Sequence, residues 1–444
     1  MQVVVAPATP LARSALGVVR LTGDGALGLA LLVCKPHHAA PIRPRMARRV
    51  SFVDGSGAFD DGILLFFPGP RSVTGEDLVE LTCHGNPVIV SHLVDELVGA
   101  GARMAEAGEF TRRGVIHGRM DLVAAEGVHT AIEASGLAGV RVARQALDGA
   151  HSALYADLRT ELCMATAELE ARLDQPGDVL VTQSDEALTT RVLKVVDNIE
   201  ALISSTDRGR VVVDGARVAL VGETNVGKSS LFNALLGRRR ALVHDSPGTT
   251  RDVLEVRAQW GDLAVTLLDT AGERETSDPV EAAGLALAQE LTDAADCLVV
   301  VLRASMDCPS EAESLILERT ADRRRVIVYN GVDRPGVGPA PVPSIETSAE
   351  TGQGLDALIE LIRGQIDQQA QGDADLVLAS ARQASRLRSV AENAREAVDA
   401  LPIAGPAVAA SCLTDAIAEI DAMTGDSSRE GVLDALFARF CIGK

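Results

Sequence analysis

The run Gly222-Glu223-Thr224-Asn225-Val226-Gly227-Lys228-Ser229 fits the phosphate-loop pattern G-x-x-x-x-G-K-[ST], and it restricts the fold more than any other stretch of the chain. An apolar run, residues 218–221, enters it, and a helix-forming run, residues 230–236, leaves it. Strand, loop and helix in that order predict an α/β P-loop domain. Backbone N–H groups of Asn225, Val226, Gly227, Lys228, Ser229 and Ser230 would wrap the phosphates of a nucleoside triphosphate at the helix N-terminus. Lys228 then lies between the β- and γ-phosphates, and the Ser229 hydroxyl binds magnesium.

Further motifs follow in order and identify the nucleotide as GTP. Pro247-Gly248-Thr249-Thr250-Arg251-Asp252 reads as a first switch, in which Thr249 or Thr250 reports the γ-phosphate and Thr250 completes the magnesium shell. Asp269-Thr270-Ala271-Gly272 follows the apolar run 263–268. That order puts the Asp269 carboxylate in magnesium's outer shell and the Gly272 N–H near the γ-phosphate. After a short strand expected at 342–345, Ser348-Ala349 resembles the loop whose backbone N–H touches the guanine carbonyl. The base-reading element, after the run 326–329, is Asn330-Gly331-Val332-Asp333, where GTPases usually carry N-K-x-D. Asp333 accepts hydrogen bonds from guanine's N1–H and exocyclic amine, which adenine cannot donate. Gly331 lacks the lysine stem that covers the base, so nucleotide affinity should be weaker.

A chain of 444 residues with 47% hydrophobic side chains should form roughly two to four domains with buried cores. One Trp and two Tyr make aromatic base stacking a poor means of holding RNA, and a net charge of −20 excludes a chain-wide grip on phosphates. Any RNA contact must be local. The basic cluster Arg43-Pro44-Arg45-Met46-Ala47-Arg48-Arg49 offers one place, and a solvated loop is its ordinary explanation. Seven scattered cysteines with no C-x-x-C predict reduced thiols and no zinc site. With no signal peptide and no apolar run near the roughly eighteen residues of a membrane span, a soluble, cytoplasmic protein is expected.

The pattern along the chain is that of a multidomain protein with a nested unit. Residues 1–115 alternate short strands, at 17–21, 62–67 and 78–81, with helices such as 87–99, and predict an α+β domain. Residues 116–214 read as amphipathic helices of an all-α domain. Residues 215–370 form the inserted α/β, Ras-like G domain, and residues 371–444 return to helix from Ala374, with a break marked by Pro402 and Pro406. Insertion suits a G domain whose ends lie close together. Three sequential domains are the other arrangement compatible with this order.

This order, the C-terminal Phe440-Cys441-Ile442-Gly443-Lys444, and the motifs Gly75-Glu76-Asp77-Leu78-Val79-Glu80-Leu81, His84-Gly85-Asn86-Pro87, Gly108-Glu109-Phe110-Thr111 and Asp121-Leu122 with Ala125-Glu126 resemble the MnmE or TrmE family over essentially the whole chain. The resemblance implies a homodimer that works with tRNA and with an MnmG-like partner using FAD and NADH. It also implies addition of an aminomethyl or carboxymethylaminomethyl group to carbon five of the wobble uridine, with a tetrahydrofolate derivative as one-carbon source. By matching position, folate contacts fall to Arg20, Glu80, Arg119 and Lys444. Arg119 stands where the family usually has lysine, and a forked guanidinium is not equivalent to an ammonium.

The family's hydrolysis depends on potassium rather than an arginine finger. The resemblance assigns Asn225, Thr249 and backbone carbonyls near His244 and Ser246 to that cation. It gives Glu281, twelve residues after Asp269, the orientation of the attacking water, and Glu273 beside the DTAG motif is a second carboxylate that competes for the role. Cys441, near Lys444, is expected to act in modification rather than GTP turnover. Two other readings are a dimerising G-protein switch in ribosome or RNA maturation, like Era and Der, and a folate-binding scaffold with a silent G domain.

Overall fold

The computed structural model describes residues 2–174, 184–237, 253–261, 263–270, 292–305, 309–334, 337–340, 342–370, 376–378, 380–425, 436–438, 440 and 443. The chain divides into two compact units, one of residues 1–129, 146–184 and 396–444, the other of residues 130–145 and 185–395.

The first unit begins with β1 (Val4–Pro7), β2 (Leu16–Thr22), α1 (Ala26–Val33), β3 (Cys34–Pro36), β4 (Arg48–Asp54), β5 (Gly57–Phe67), β6 (Leu78–His84), α2 (Pro87–Gly99) and β7 (Arg103–Met104). The strands form one sheet in the order β3-β4-β5-β6-β2-β1-β7. Every pairing is antiparallel except that of β1 with β7. Strand alternation sorts the side chains. Val19 and Leu21 of β2 and Val79 and Leu81 of β6 are buried with Leu93 and Leu97 of α2, so Arg20 and Glu80 fall on the opposite face. Helix α2 occupies the predicted residues because Asn86 caps it, accepting from the Val88 N–H, and Pro87 opens it where no N–H is needed.

Helix α3 (Glu109–Ile116) carries Arg113, which is buried and paired with two carboxylates, Glu76 and Glu109, at 2.8 Å each. Helices α4 (Leu122–Glu133), α5 (Leu137–Leu147) and α6 (Ala150–Asp174) follow.

The second unit contains α7 (Asp185–Ser204), α8 (Thr206–Asp214), β8 (Ala216–Val221), α9 (Lys228–Gly237), β9 (Val253–Trp260), β10 (Leu263–Thr270), β11 (Cys297–Arg303), α10 (Glu311–Arg319), β12 (Arg325–Asn330), β13 (Ile345–Thr347) and α11 (Leu355–Ala370). Its sheet has the order β13-β12-β11-β8-β10-β9 and is parallel except for the β9–β10 hairpin. Central parallel strands are covered on both faces, and β11 accordingly buries every residue but Arg303. Leu231 and Leu235 of α9, Leu358 and Ile362 of α11 and the fully buried Trp260 complete this core.

Several element boundaries differ from expectation, and β5 begins at Gly57, ahead of the strand expected at 62–67. The strand expected at 342–345 is β13, and its ladder starts where Ile345 pairs with Val328, after Pro343, which has no N–H to offer. The helix expected from Ala374 is α12 (Ala381–Ala404), since residues 376–378 are not helical. Pro402 also lies inside that helix rather than at a break. It sits in the last turn and forfeits little of the ladder, and the chain breaks instead at Gly405, with Pro406 as the first residue of α13 (Pro406–Thr424). Helix α13 packs on α6, its residues Ala409, Leu413, Ala416 and Ile420 are buried, and Arg159 pairs with Asp421 at 2.6 Å. Phe437 and Phe440 join Leu122 and Ala125 in a small core, with the Phe440 ring stacked on His129 at 4.9 Å. A Cβ on Gly443 would stand 2.2 Å from the Pro7 carbonyl oxygen, so the C-terminal backbone lies directly on the N-terminal segment. No described helix is long and apolar enough to cross a membrane.

Candidate functional site

Strand β8 has β10 on one side and β11 on the other, so the loop leaving it opens at the point where the sheet order reverses. Ligands of open parallel sheets bind at the carboxyl ends of strands at such a point. Asn225 stands at the loop tip with φ 62°, and Val226 turns into the core. Lys228 is buried, and its Nζ donates to the carbonyl oxygens of Gly222 and Glu223 at 2.8 Å each. The ammonium is therefore held on the axis of its own loop. Ser229 and Ser230 are exposed in the first turn of α9. Asp269, buried, is the last but one residue of β10 and lies opposite Leu220, near the root of the loop.

The residues expected to read the base sit at the next strand ends. Asn330 Nδ2 donates to the Val226 carbonyl at 3.3 Å, and its Oδ1 accepts from Thr347 Oγ1 at 3.2 Å. This one buried amide ties the phosphate loop to β12 and β13. Asp333 is exposed, and a hydrogen bond from Ser348 holds its carboxyl below the usual aspartate range. Ser348 is fully buried, and its N–H donates to the Gln353 carbonyl at 3.1 Å. Of the pair, the Ser348 N–H is thus already engaged within the protein. Asn225, Val226, Gly227, Lys228, Ser229, Ser230, Asp269, Asn330, Asp333, Ser348 and Ala349 all lie at the carboxyl end of this sheet, on the last residues of its strands, the loops that leave them or the first turn of α9. Thr249, Thr250, His244, Ser246, Gly272, Glu273, Glu281, Cys441 and Lys444 lie outside the described residues.

Sequence reasoning missed Arg303, whose guanidinium donates to the Asn225 carbonyl and supports the loop tip from behind. Its one signal was an arginine ending an otherwise apolar strand.

The first unit holds a second candidate site. Arg20 and Glu80 face each other across β2 and β6 and form an ion pair at 2.7 Å. Glu80 and Arg119 line a cavity of about 440 Å³ together with Arg45, Arg71, Phe67 and Val73. Arg20 does not line it and meets it only by pairing with Glu80. Arg45 lies over the Phe67 ring at 5.6 Å, and Arg119 Nε donates to the Ser72 carbonyl at 3.1 Å. Three guanidinium groups and one carboxylate suit a ligand with anionic groups and a donor edge for Glu80. The basic cluster thus divides. Arg49 pairs with Asp61 on the surface and Arg48 donates to loop carbonyls, whereas Arg45 faces the cavity. Burial raises the Cys34 and Cys297 thiols to about 12, which leaves both unreactive.

Comparison with known proteins covers the whole chain. The family model described as MnmE helical domain matches residues 122–441. A second, GTP-binding protein TrmE N-terminus, matches residues 3–119. The tRNA modification GTPase MnmE of Myxococcus xanthus is 39% identical over 444 residues, covering 99% of this chain and 98% of the relative. Its counterpart from Symbiobacterium thermophilum is 35% identical over 461 residues, covering 100% and 99%. Among solved structures, the G domain of the T. maritima FeoB iron transporter is 28% identical with a TM-score of 0.28, covering 35% of this chain and 99% of that one.

Proposed function

The chain belongs to the MnmE family, and from that membership we propose a GTP-hydrolysing tRNA modification protein that adds a (carboxymethyl)aminomethyl group to carbon five of the wobble uridine. It works in the cytoplasm as a homodimer with an MnmG-like partner that supplies FAD and NADH chemistry. The domains are 1–115 for folate and dimerisation, 116–214 and 371–444 for the helical part, and 215–370 for GTP.

One observation carries this reading beyond a G-protein switch. Met120 both lines the cavity and packs against the Phe437 and Phe440 cluster, so the C-terminal segment is anchored beside the arginine-lined cleft. A tail docked there has no use in GTP turnover alone. A tetrahydrofolate derivative suits the cleft's chemistry, with Arg119 for its carboxylates and Glu80, paired with Arg20, for its pterin donors, and the family resemblance adds Lys444 as a further carboxylate contact. Cys441 then acts in modification. Hydrolysis is separate, with Ser229 and Thr250 on magnesium, Glu281 on the water, and Asn225, Thr249, His244 and Ser246 around potassium.

Mass spectrometry of the wobble uridine tests the function. Cells lacking the gene lose the modified base, the wild-type gene restores it, and Cys441→Ser fails to restore it while hydrolysing GTP normally. Persistence of the modified base in the deletion strain would overturn the reading.

A separate measurement tests the cation. Potassium should accelerate hydrolysis over sodium by about tenfold or more, because a cation beside the phosphates offsets charge developing in the transition state. Asn225→Ala should erase the difference. Equal single-turnover rates in matched salts would remove potassium from the mechanism.

A further inference from the structure

Gly331 stands where the usual base-reading motif has lysine, and its backbone has φ 93°, a left-handed conformation that a side chain rarely adopts. The three atoms nearest to a Cβ built there all belong to the Arg334 side chain, with Nε at 3.4 Å, Cδ at 3.6 Å and Cζ at 3.7 Å. The Arg334 N–H donates to the Gly331 carbonyl at 3.2 Å, and this turn folds residue 334 back over residue 331. The end of the arginine stem and the guanidinium therefore run past the point from which a lysine stem would rise. Arg334 is exposed, so a ligand can reach it.

We propose that Arg334 is the base-covering residue of the nucleotide site, laying its guanidinium and the end of its stem against one face of guanine in place of the lysine. The inference rests on the GTP reading above and names the residue that completes it. Asp333 reads the hydrogen-bonding edge of the base, and Asn330 fixes that edge relative to the phosphate loop. A planar, weakly hydrated cation suits the flat face left over, where an ammonium would be only a point charge. Arg334 supplies affinity for a purine face, and Asp333 supplies the choice of guanine.

The test is calorimetry on the full chain with GDP, ADP and inorganic tripolyphosphate. Arg334→Ala should weaken GDP about five- to tenfold, as expected for loss of a partly exposed cation and ring contact. Arg334→Lys should fall between the two, and tripolyphosphate, which has no base, should bind the wild type and both variants alike. Unchanged GDP affinity in Arg334→Ala would overturn the proposal and leave the GTP reading intact. Equal weakening of GDP and tripolyphosphate would also overturn it, since that marks a general distortion of the site. Wild-type protein that binds ADP as well as GDP would overturn both readings.

Discussion

Lys228→Ala lowers GTP turnover by about a hundred- to a thousandfold, the size of effect seen when one preorganised donor is removed from a developing charge. The lysine is buried, and two carbonyl oxygens of its own loop hold the ammonium in place. Its charge needs little rearrangement to stabilise the β- and γ-phosphates. Lys228→Arg should be nearly as damaging, because a forked guanidinium does not fit a cradle built for a compact ammonium. Single-turnover hydrolysis, with circular dichroism to confirm folding, measures both variants. Retention of more than about a tenth of the wild-type rate would show that the loop backbone alone carries the chemistry.

Arg113→Met is expected to destabilise the first unit by about 3–5 kcal/mol, the usual cost of removing one partner from a buried ion pair. The guanidinium joins Glu76 and Glu109 with all three side chains at most 7% exposed, and it also donates to the Gln2 carbonyl. Removing it takes one buried cation from both carboxylates and leaves Glu109 with Arg103. In the wild type, burial pushes the Glu109 carboxyl up, but the Glu106 N–H and the guanidinium groups of Arg113 and Arg103 outweigh burial and hold it below its ordinary value of 4.5. A carboxylate lowered on folding contributes stability that is fully present above its unfolded value. That contribution is lost as pH falls below about 4.5 and through the folded value. Arg113→Met should therefore flatten the acid limb of the stability profile as well as lower the plateau. Denaturant unfolding at pH 7 and at pH 4 separates the two effects. A plateau within about 1 kcal/mol of wild type would show that the network contributes little.

The order of elements around the phosphate loop was legible because each signal there is local. A loop of fixed length between an apolar strand and a helix identifies itself, and Asn330, Asp333 and Ser348 each follow a short apolar run. The C-terminal Phe440-Cys441-Ile442-Gly443-Lys444 and the N-terminal motifs pointed to the family, which relatives spanning the full chain show. Boundaries set by hydrogen bonding were less legible. The β13 ladder waits for a residue with an N–H in register, and Pro402 is absorbed by the last turn of a helix that it was expected to end.

The tertiary structure alone decided what meets across long separations. No periodicity tells that β2 lies between β6 and β1, that Arg45 and Arg71 share a cavity with Glu80, or that Arg303 holds the carbonyl of Asn225. Arg334 beside Gly331 is close in sequence, yet it too was hidden, because a three-residue separation says nothing about direction until a positive φ turns the chain back. The sequence by itself determined which chemical groups are present and which local segments carry them. Which groups touch was settled by strand order and backbone turns, and those follow from burial of the apolar faces of the whole sheet rather than from any residue read alone.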